Sequence, residues 1–201
     1  MKIALFGGTF DPPHNGHLAV CTLTRELFSP DRMILSVSKN PLKETASAPE
    51  YHQLEMTRLF CEELNKTGNI FEVSDWELRR DGPSYTVDTL AYLQSQFPQA
   101  TLQLCIGEDN YRIFTRWKNY EKILEMAELV VFARPHKENG LNEILGLHPN
   151  RLHWVDLDLP LSSTELRHEI ASGTVRWTKM PGAISRYIQA NRLYGYSSKQ
   201  A

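Results

Sequence analysis

Hydrophobic positions fall into six short runs: KIALF (2–6), RMILSV (32–37), IFEVSDWEL (70–78), TLQLCIG (101–107), LVVFA (129–133) and LHWVDLDL (152–159). Between them apolar residues recur at helical spacing near 16–28, 50–66, 84–97, 110–127 and 163–172, and a last helix follows Pro181. In the second of these, Leu54, Phe60, Cys61 and Leu64 keep close to the helical period. TLQLCIG and LVVFA are apolar throughout instead of alternating, the pattern of strands covered on both faces. Strand–helix alternation of this kind predicts an α/β fold built on a doubly wound, mostly parallel sheet. Ligands of such sheets sit beyond the carboxyl ends of the strands, near the point where the strand order reverses.

No internal repeat or low-complexity tract interrupts the pattern, so residues 1–201 read as a single domain with a C-terminal helical part at about 163–195. The segment PGAISRYIQANRLYG (181–195) has proline in its first turn and ends on Gly195, and reads as one packing helix. KNPLKETASAPEY (39–51), with two lysines, two prolines and small residues, reads as a mobile surface loop. The 201 residues are 41% hydrophobic and 23% charged with a formal net charge of −2, which gives no global attraction to nucleic acid or to an anionic membrane. Cys21, Cys61 and Cys105 are an odd count without CxxC spacing, as suits a reducing compartment. The N-terminus has no signal-peptide pattern, and no apolar run approaches the roughly 18 residues of a membrane span. The expectation is a soluble, cytoplasmic protein, with monomer and homo-oligomer both left open.

The chemistry begins directly after the first run, in GGTFDPPHNGH (7–17). Gly7, Gly8 and Thr9 follow a strand and precede a helix starting near Gly16, where close-approaching backbone and helix-terminal N–H groups suit a phosphate. The same residues could form an ordinary turn. The stretch is neither GxGxxG nor a lysine-bearing P-loop. His14 and His17, three positions apart, can share one face at the helix start. As metal ligands they lack a third partner, and as cap or surface residues they would be inert. As imidazole donors they would bind phosphate oxygens in a transition state. No metal site is assigned, and His52, His136, His148, His153 and His168 show no ligand spacing.

GGTFDPPHNGHL resembles the first signature of the (T/H)xGH nucleotidyltransferase superfamily, and most closely that of bacterial nicotinate mononucleotide adenylyltransferases. Pantetheine-phosphate adenylyltransferases carry threonine at the position of His14. PLSSTELR (160–167) resembles the second signature, ISSTxxR, with Leu161 where isoleucine is usual; its Ser162 and Glu165 also have capping-box spacing. The resemblance implies ATP phosphates held by Ser162, Ser163, Thr164 and Arg167. GPSYTVDTL (82–90) resembles the segment that holds the mononucleotide through Ser84, Tyr85 and Thr86, with Ser84 also readable as a helix cap. CIGEDNYRIFTRW (105–117) resembles the IGxDxxxxxxxW pattern and implies Gly107 and Asp109 beside the nucleotides and Trp117 against the nicotinate ring. FARP (132–135) implies Arg134 near ATP. NPLK (40–43) stands where the family has PPHK, so Lys43 is implied as the phosphate-neutralising lysine; Leu42 replaces the histidine, and Lys39 is the alternative.

The resemblance therefore implies a Rossmann-like nucleotidyltransferase fold. The implied reaction is adenylyl transfer from ATP to nicotinate mononucleotide, giving deamido-NAD and pyrophosphate, with Mg2+ arriving on ATP. The mononucleotide phosphate is the nucleophile, so no activated side chain is required. His14, His17, Lys43 and Arg167 are the implied catalytic groups, and Gly7, Gly8, Thr9 and Phe10 the backbone cradle. Nicotinamide mononucleotide, another small phosphorylated acceptor, or a binding-only nucleotide regulator remain alternatives at this point.

Overall fold

The computed structural model describes residues 1–39, 48–134 and 151–197. Six parallel strands form one sheet in the order β3-β2-β1-β4-β5-β6. They are β1 (Lys2–Gly8), β2 (Arg32–Val37), β3 (Phe71–Ser74), β4 (Thr101–Gly107), β5 (Ala127–Ala133) and β6 (Leu152–Asp156). The helices are α1 (Asn15–Phe28), α2 (Glu50–Asn65), α3 (Thr86–Gln96), α4 (Glu108–Arg112), α5 (Tyr120–Met126), α6 (Ser163–Ser172) and α7 (Gly182–Ala190).

The continuous apolar strands have a direct explanation. Alternate residues of one strand enter separate cores on the two faces of the sheet. Ala4 and Phe6 of β1 join Met33, Leu35, Cys105, Val130 and Phe132 against α1, α2, α6 and α7. Ile3 and Leu5 join Ile34, Leu104, Leu129 and Val131 against α3, α4 and α5. Helices on both faces make the doubly wound sheet that the pattern predicts. The chain runs outward from β1 through β2 to β3, then returns to lay β4 on the other side of β1. The crevice of such a reversal opens beyond the carboxyl ends of β1 and β4, which are Gly7-Gly8 and Gly107.

Three boundaries differ from expectation. The strand expected over 70–78 stops at Ser74, whose hydroxyl accepts from Trp76 N (3.3 Å) and turns the chain, after which Arg79 N bonds Asp75 O. The helix expected over 110–127 is two short helices with a 3-10 turn, Phe114–Arg116, between them. Trp117 there is extended (ψ 143°) and Asn119 is left-handed (φ 50°), a conformation asparagine tolerates better than most residues. The final helix stops at Ala190, with Leu193–Gly195 a separate 3-10 turn; Arg192 (φ 50°) just before it and Tyr194 (φ 57°) within it are left-handed.

Candidate active site

A cavity of about 890 Å³ lies at the carboxyl ends of β1, β4 and β5. Its walls include Gly7, Gly8, Thr9, His14, His17, Gly107, Asp109, Arg134, Ser162, Ser163, Thr164 and Arg167, all expected from the sequence. A side chain added at Gly7 or Gly107 would meet nothing within 4 Å, so bare backbone faces the open space at both strand ends. Gly8 has a different duty. A Cβ there would lie 3.2 Å from the tip of the Phe10 ring. Phe10 is 1% exposed, left-handed (φ 46°) and packed edge-on to Phe6. Its side chain belongs to the core, and only its backbone belongs to the loop.

The two histidines are organised by the backbone of the helix start. Pro12 and Pro13 offer no N–H, and His14 is the extended N-cap of α1 (φ −147°, ψ 176°). Gly16 N donates to His14 Nδ1 (3.0 Å), and His14 N donates to His17 Nδ1 (3.2 Å), a capping box made of imidazoles. Because each Nδ1 accepts, each ring is held as the Nε2–H tautomer, a neutral hydrogen-bond donor. The rings lie against one another with centroids 3.9 Å apart. Burial holds the His14 pKa down at about 4, which keeps that ring neutral near pH 7. Gly16 makes this arrangement sterically feasible: a Cβ there would sit 2.8 Å from His14 Cε1 and 2.9 Å from Nδ1.

The second motif is bonded to the first across most of the chain. Ser162 caps α6 by accepting from Glu165 N (3.2 Å). Ser163 Oγ donates to Pro12 O (3.0 Å) and Arg167 Nη1 donates to Asp11 O (2.9 Å). Arg167 Nη2 donates to Thr164 Oγ1 (3.3 Å). The N-terminal ends of α1 and α6 therefore border one cavity, each turning a positive dipole end to it. Arg134 borders it with Asp158 3.7 Å away, and Asp109 does so from the first turn of α4.

A second, smaller pocket adjoins the first across Gly7, Gly8 and Thr9, which line both. Its far wall holds Thr86 and Trp117 with Glu77 and Thr89. The break in the expected 110–127 helix is what turns Trp117 into this wall. Trp117 Nε1 is buried without a hydrogen-bond partner, as is Ser84 Oγ. Ser84 is not the cap of α3, which begins at Thr86 with Tyr85 at the cap position and no side-chain bond to it. Tyr85 carries the Lys118 ammonium over its ring at 4.3 Å.

Lys43 lies outside the described residues. The alternative, Lys39, is bound elsewhere: its ammonium donates to the carbonyls of Leu78 (2.9 Å) and Arg80 (3.3 Å) and stands 3.6 Å from Glu50. Sequence reasoning missed two groups. Glu77 is 5% exposed and accepts from Ser36 Oγ (2.8 Å) and Thr89 Oγ1 (3.0 Å) beneath the second pocket. A glutamate in an expected strand gives no sign of this. Asp11 is 1% exposed and accepts from Tyr194 OH at 2.7 Å. Among the described residues no three His, Cys, Asp or Glu side chains gather as a metal-binding group.

A doubly wound sheet whose β1 ends in Gly7-Gly8, with the starts of α1 and α6 at one cavity, is the class matched by the cytidylyltransferase-like family model, which covers residues 5–169. The chain belongs to that family, in the branch whose curated members are named nicotinate-nucleotide adenylyltransferases. It is 60% identical over 193 residues to the probable nicotinate-nucleotide adenylyltransferase of Chloroherpeton thalassium, covering 96% of this chain and 97% of that one. To the protein of the same name from Prosthecochloris aestuarii it is 45% identical, covering 98% and 100%. Among solved structures, Plasmodium falciparum nicotinic acid mononucleotide adenylyltransferase complexed with NaAD has the same fold, with a TM-score of 0.81 over 98% of both chains at 18% identity.

Proposed function

We propose that this chain transfers the adenylyl group of ATP to nicotinate mononucleotide, forming deamido-NAD and pyrophosphate. The observation that carries the reading is the pair of pockets meeting at Gly7–Thr9, one walled by both phosphate motifs and the other by Thr86 and Trp117. The larger pocket has room for a nucleoside triphosphate, and the smaller, about 30 Å³ in this structure, marks the side of the bare glycine backbone from which the acceptor approaches. The names of the relatives supply the acceptor.

MgATP is the first substrate, and its metal is bound by phosphates and water. His14 and His17 donate Nε2–H to triphosphate oxygens, and Arg167 and Lys43 offset the charge that builds on the leaving pyrophosphate. Thr164 with the backbone of Ser162 and Ser163 at the start of α6, and Arg134 at the rim, complete the triphosphate side, with Gly107 and Asp109 between the nucleotides. Tyr85, Thr86 and the neighbouring Ser84 hold the mononucleotide, and its ring lies on Trp117. Its phosphate is ionised at neutral pH and attacks the α-phosphorus in line, so the protein's contribution is positioning and charge stabilisation. Neutral donors suit this task, since they bind oxygen lone pairs without delivering a proton to the nucleophile.

Among the described residues no helix is long and apolar enough to cross a membrane. Cys21, Cys61 and Cys105 are free and buried, and burial lifts the Cys61 and Cys105 thiols to about 12. We place the enzyme in the cytoplasm, a reducing compartment that suits three free buried thiols. The test is pyrophosphate release from MgATP with nicotinate or nicotinamide mononucleotide, with the dinucleotide identified by mass. Preference for the acid supports the reading, equal use gives a dual-specificity enzyme, and no release with either removes the acceptor assignment.

A further inference from the structure

Glu77 is a carboxylate with 5% of its surface exposed, set among the walls of the smaller pocket with Thr86, Thr89 and Trp117. Its bonds tie two elements together: Ser36 Oγ of β2 donates to Oε1 at 2.8 Å, and Thr89 Oγ1 of α3 donates to the same oxygen at 3.0 Å. Both partners are neutral hydroxyls, and among the described residues Glu77 forms no ion pair. Thr89 lies in the first turn of α3, whose positive dipole end offsets part of the charge. The nearby Lys39 ammonium is committed to the carbonyls of Leu78 and Arg80 and to Glu50. A buried carboxylate that meets hydroxyls and no cation is a costly arrangement to keep for packing alone. Trp117 brings to the same pocket an indole, the aromatic side chain that best attracts a cation. Carboxylate and indole together favour a flat, positively charged guest.

We propose that Glu77 supplies the counter-charge for the pyridinium ring of the mononucleotide. This rests on nicotinate mononucleotide being the acceptor. Its ring nitrogen is bonded to ribose, so it is positive at every pH and has no N–H to donate. What the protein can offer it is a negative charge close by. At about 30 Å³ the pocket does not enclose the ring, and Glu77 acts through the field of its carboxylate across a short, weakly screened gap instead of through a hydrogen bond.

Glu77→Gln keeps the shape and an oxygen for both hydroxyls and removes the charge. Binding is read by calorimetry, with MgATP replaced by its α,β-methylene analogue, for nicotinate mononucleotide and for its dihydro form, whose ring nitrogen is neutral. The variant should weaken the pyridinium form on the order of tenfold and the dihydro form by less than about twofold, with the affinity for the ATP analogue unchanged. Comparing each ring form across the two proteins cancels the difference in ring shape. Thr89→Val is the control: it removes a hydroxyl bond and keeps the charge, so it should lower stability and leave the preference for the pyridinium form in place. If Glu77→Gln does not fold, Glu77→Asp, which draws the charge back by one methylene, should narrow the same preference. Equal weakening of both ring forms would make Glu77 a strut of the pocket and overturn the inference, and so would no change in either. If the wild-type protein binds the ATP analogue but neither ring form, the acceptor reading itself falls and takes the inference with it.

Discussion

His14 carries two requirements that pull apart: it must be buried to be held, and it must stay a donor. Its folded pKa of about 4, against an ordinary value of 6.5, makes the consequence measurable. Above pH 6.5 both folded and unfolded chains hold it neutral. Between 6.5 and 4 the unfolded chain takes the proton and the folded one does not, so stability falls as pH falls, by roughly 3 kcal/mol across the window. Urea denaturation at pH 7 and pH 5 should show this loss, and His14→Gln should lose less over the same interval. The neighbouring glycine gives a sharper test. Gly16→Ala improves helix propensity yet sets a Cβ under 3 Å from the imidazole, so α1 should form while turnover drops on the order of 10²-fold through displacement of His14. Wild-type kcat in that variant would remove His14 from the reaction.

Elements add a second layer of order, because α1 and α6 meet through their first turns. The hydroxyls of the second motif divide their duties accordingly. Ser162 is occupied as a cap, and Ser163 is a tie to Pro12. Ser162→Ala should therefore cost about 1 kcal/mol of stability, measured by thermal or urea unfolding, with only a small change in the KM for MgATP. The elements also show what the sequence could and could not disclose. The six strands lay open in the apolar runs, and the glycine loop and both helix starts lay open in residues 7–17 and 160–167. The division of 110–127 did not, since Phe114 and Trp117 keep helical spacing and only packing selects the extended Trp117 and the left-handed Asn119 that set α5 apart. Ser84 has the composition of a cap but sits one residue too early to be one. Glu77 and Tyr194 were hidden for a different reason: their partners Ser36, Thr89 and Asp11 come from other elements, and no local pattern records such bonds.

At the scale of the whole molecule the sheet order brings two pockets together at Gly7–Thr9 and Asn110, with Arg167 on the wall of one and Trp117 on the wall of the other. Changes on one wall should register with one substrate. Trp117→Ala removes the flat surface of the smaller pocket, and by the worth of base–aromatic stacking it should raise the mononucleotide KM roughly tenfold. The KM for MgATP should stay within about twofold. Equal changes in both constants would mean that the walls do not act separately.

The bonds from Ser163, Arg167 and Tyr194 to residues 11–12 span 151, 156 and 183 positions. A ribosome that has just finished β5 has already made every glycine and histidine of the first motif and nothing of its counterpart. At about 5–20 residues per second, on the order of ten to forty seconds separate the synthesis of β1 from that of Tyr194. Throughout that interval the nascent chain carries half a grip on polyphosphate, with Asp11 still in water and the partners of its loop not yet made. The bonds to residues 11–12 therefore close late, once residues 163–194 have been made and are free to fold.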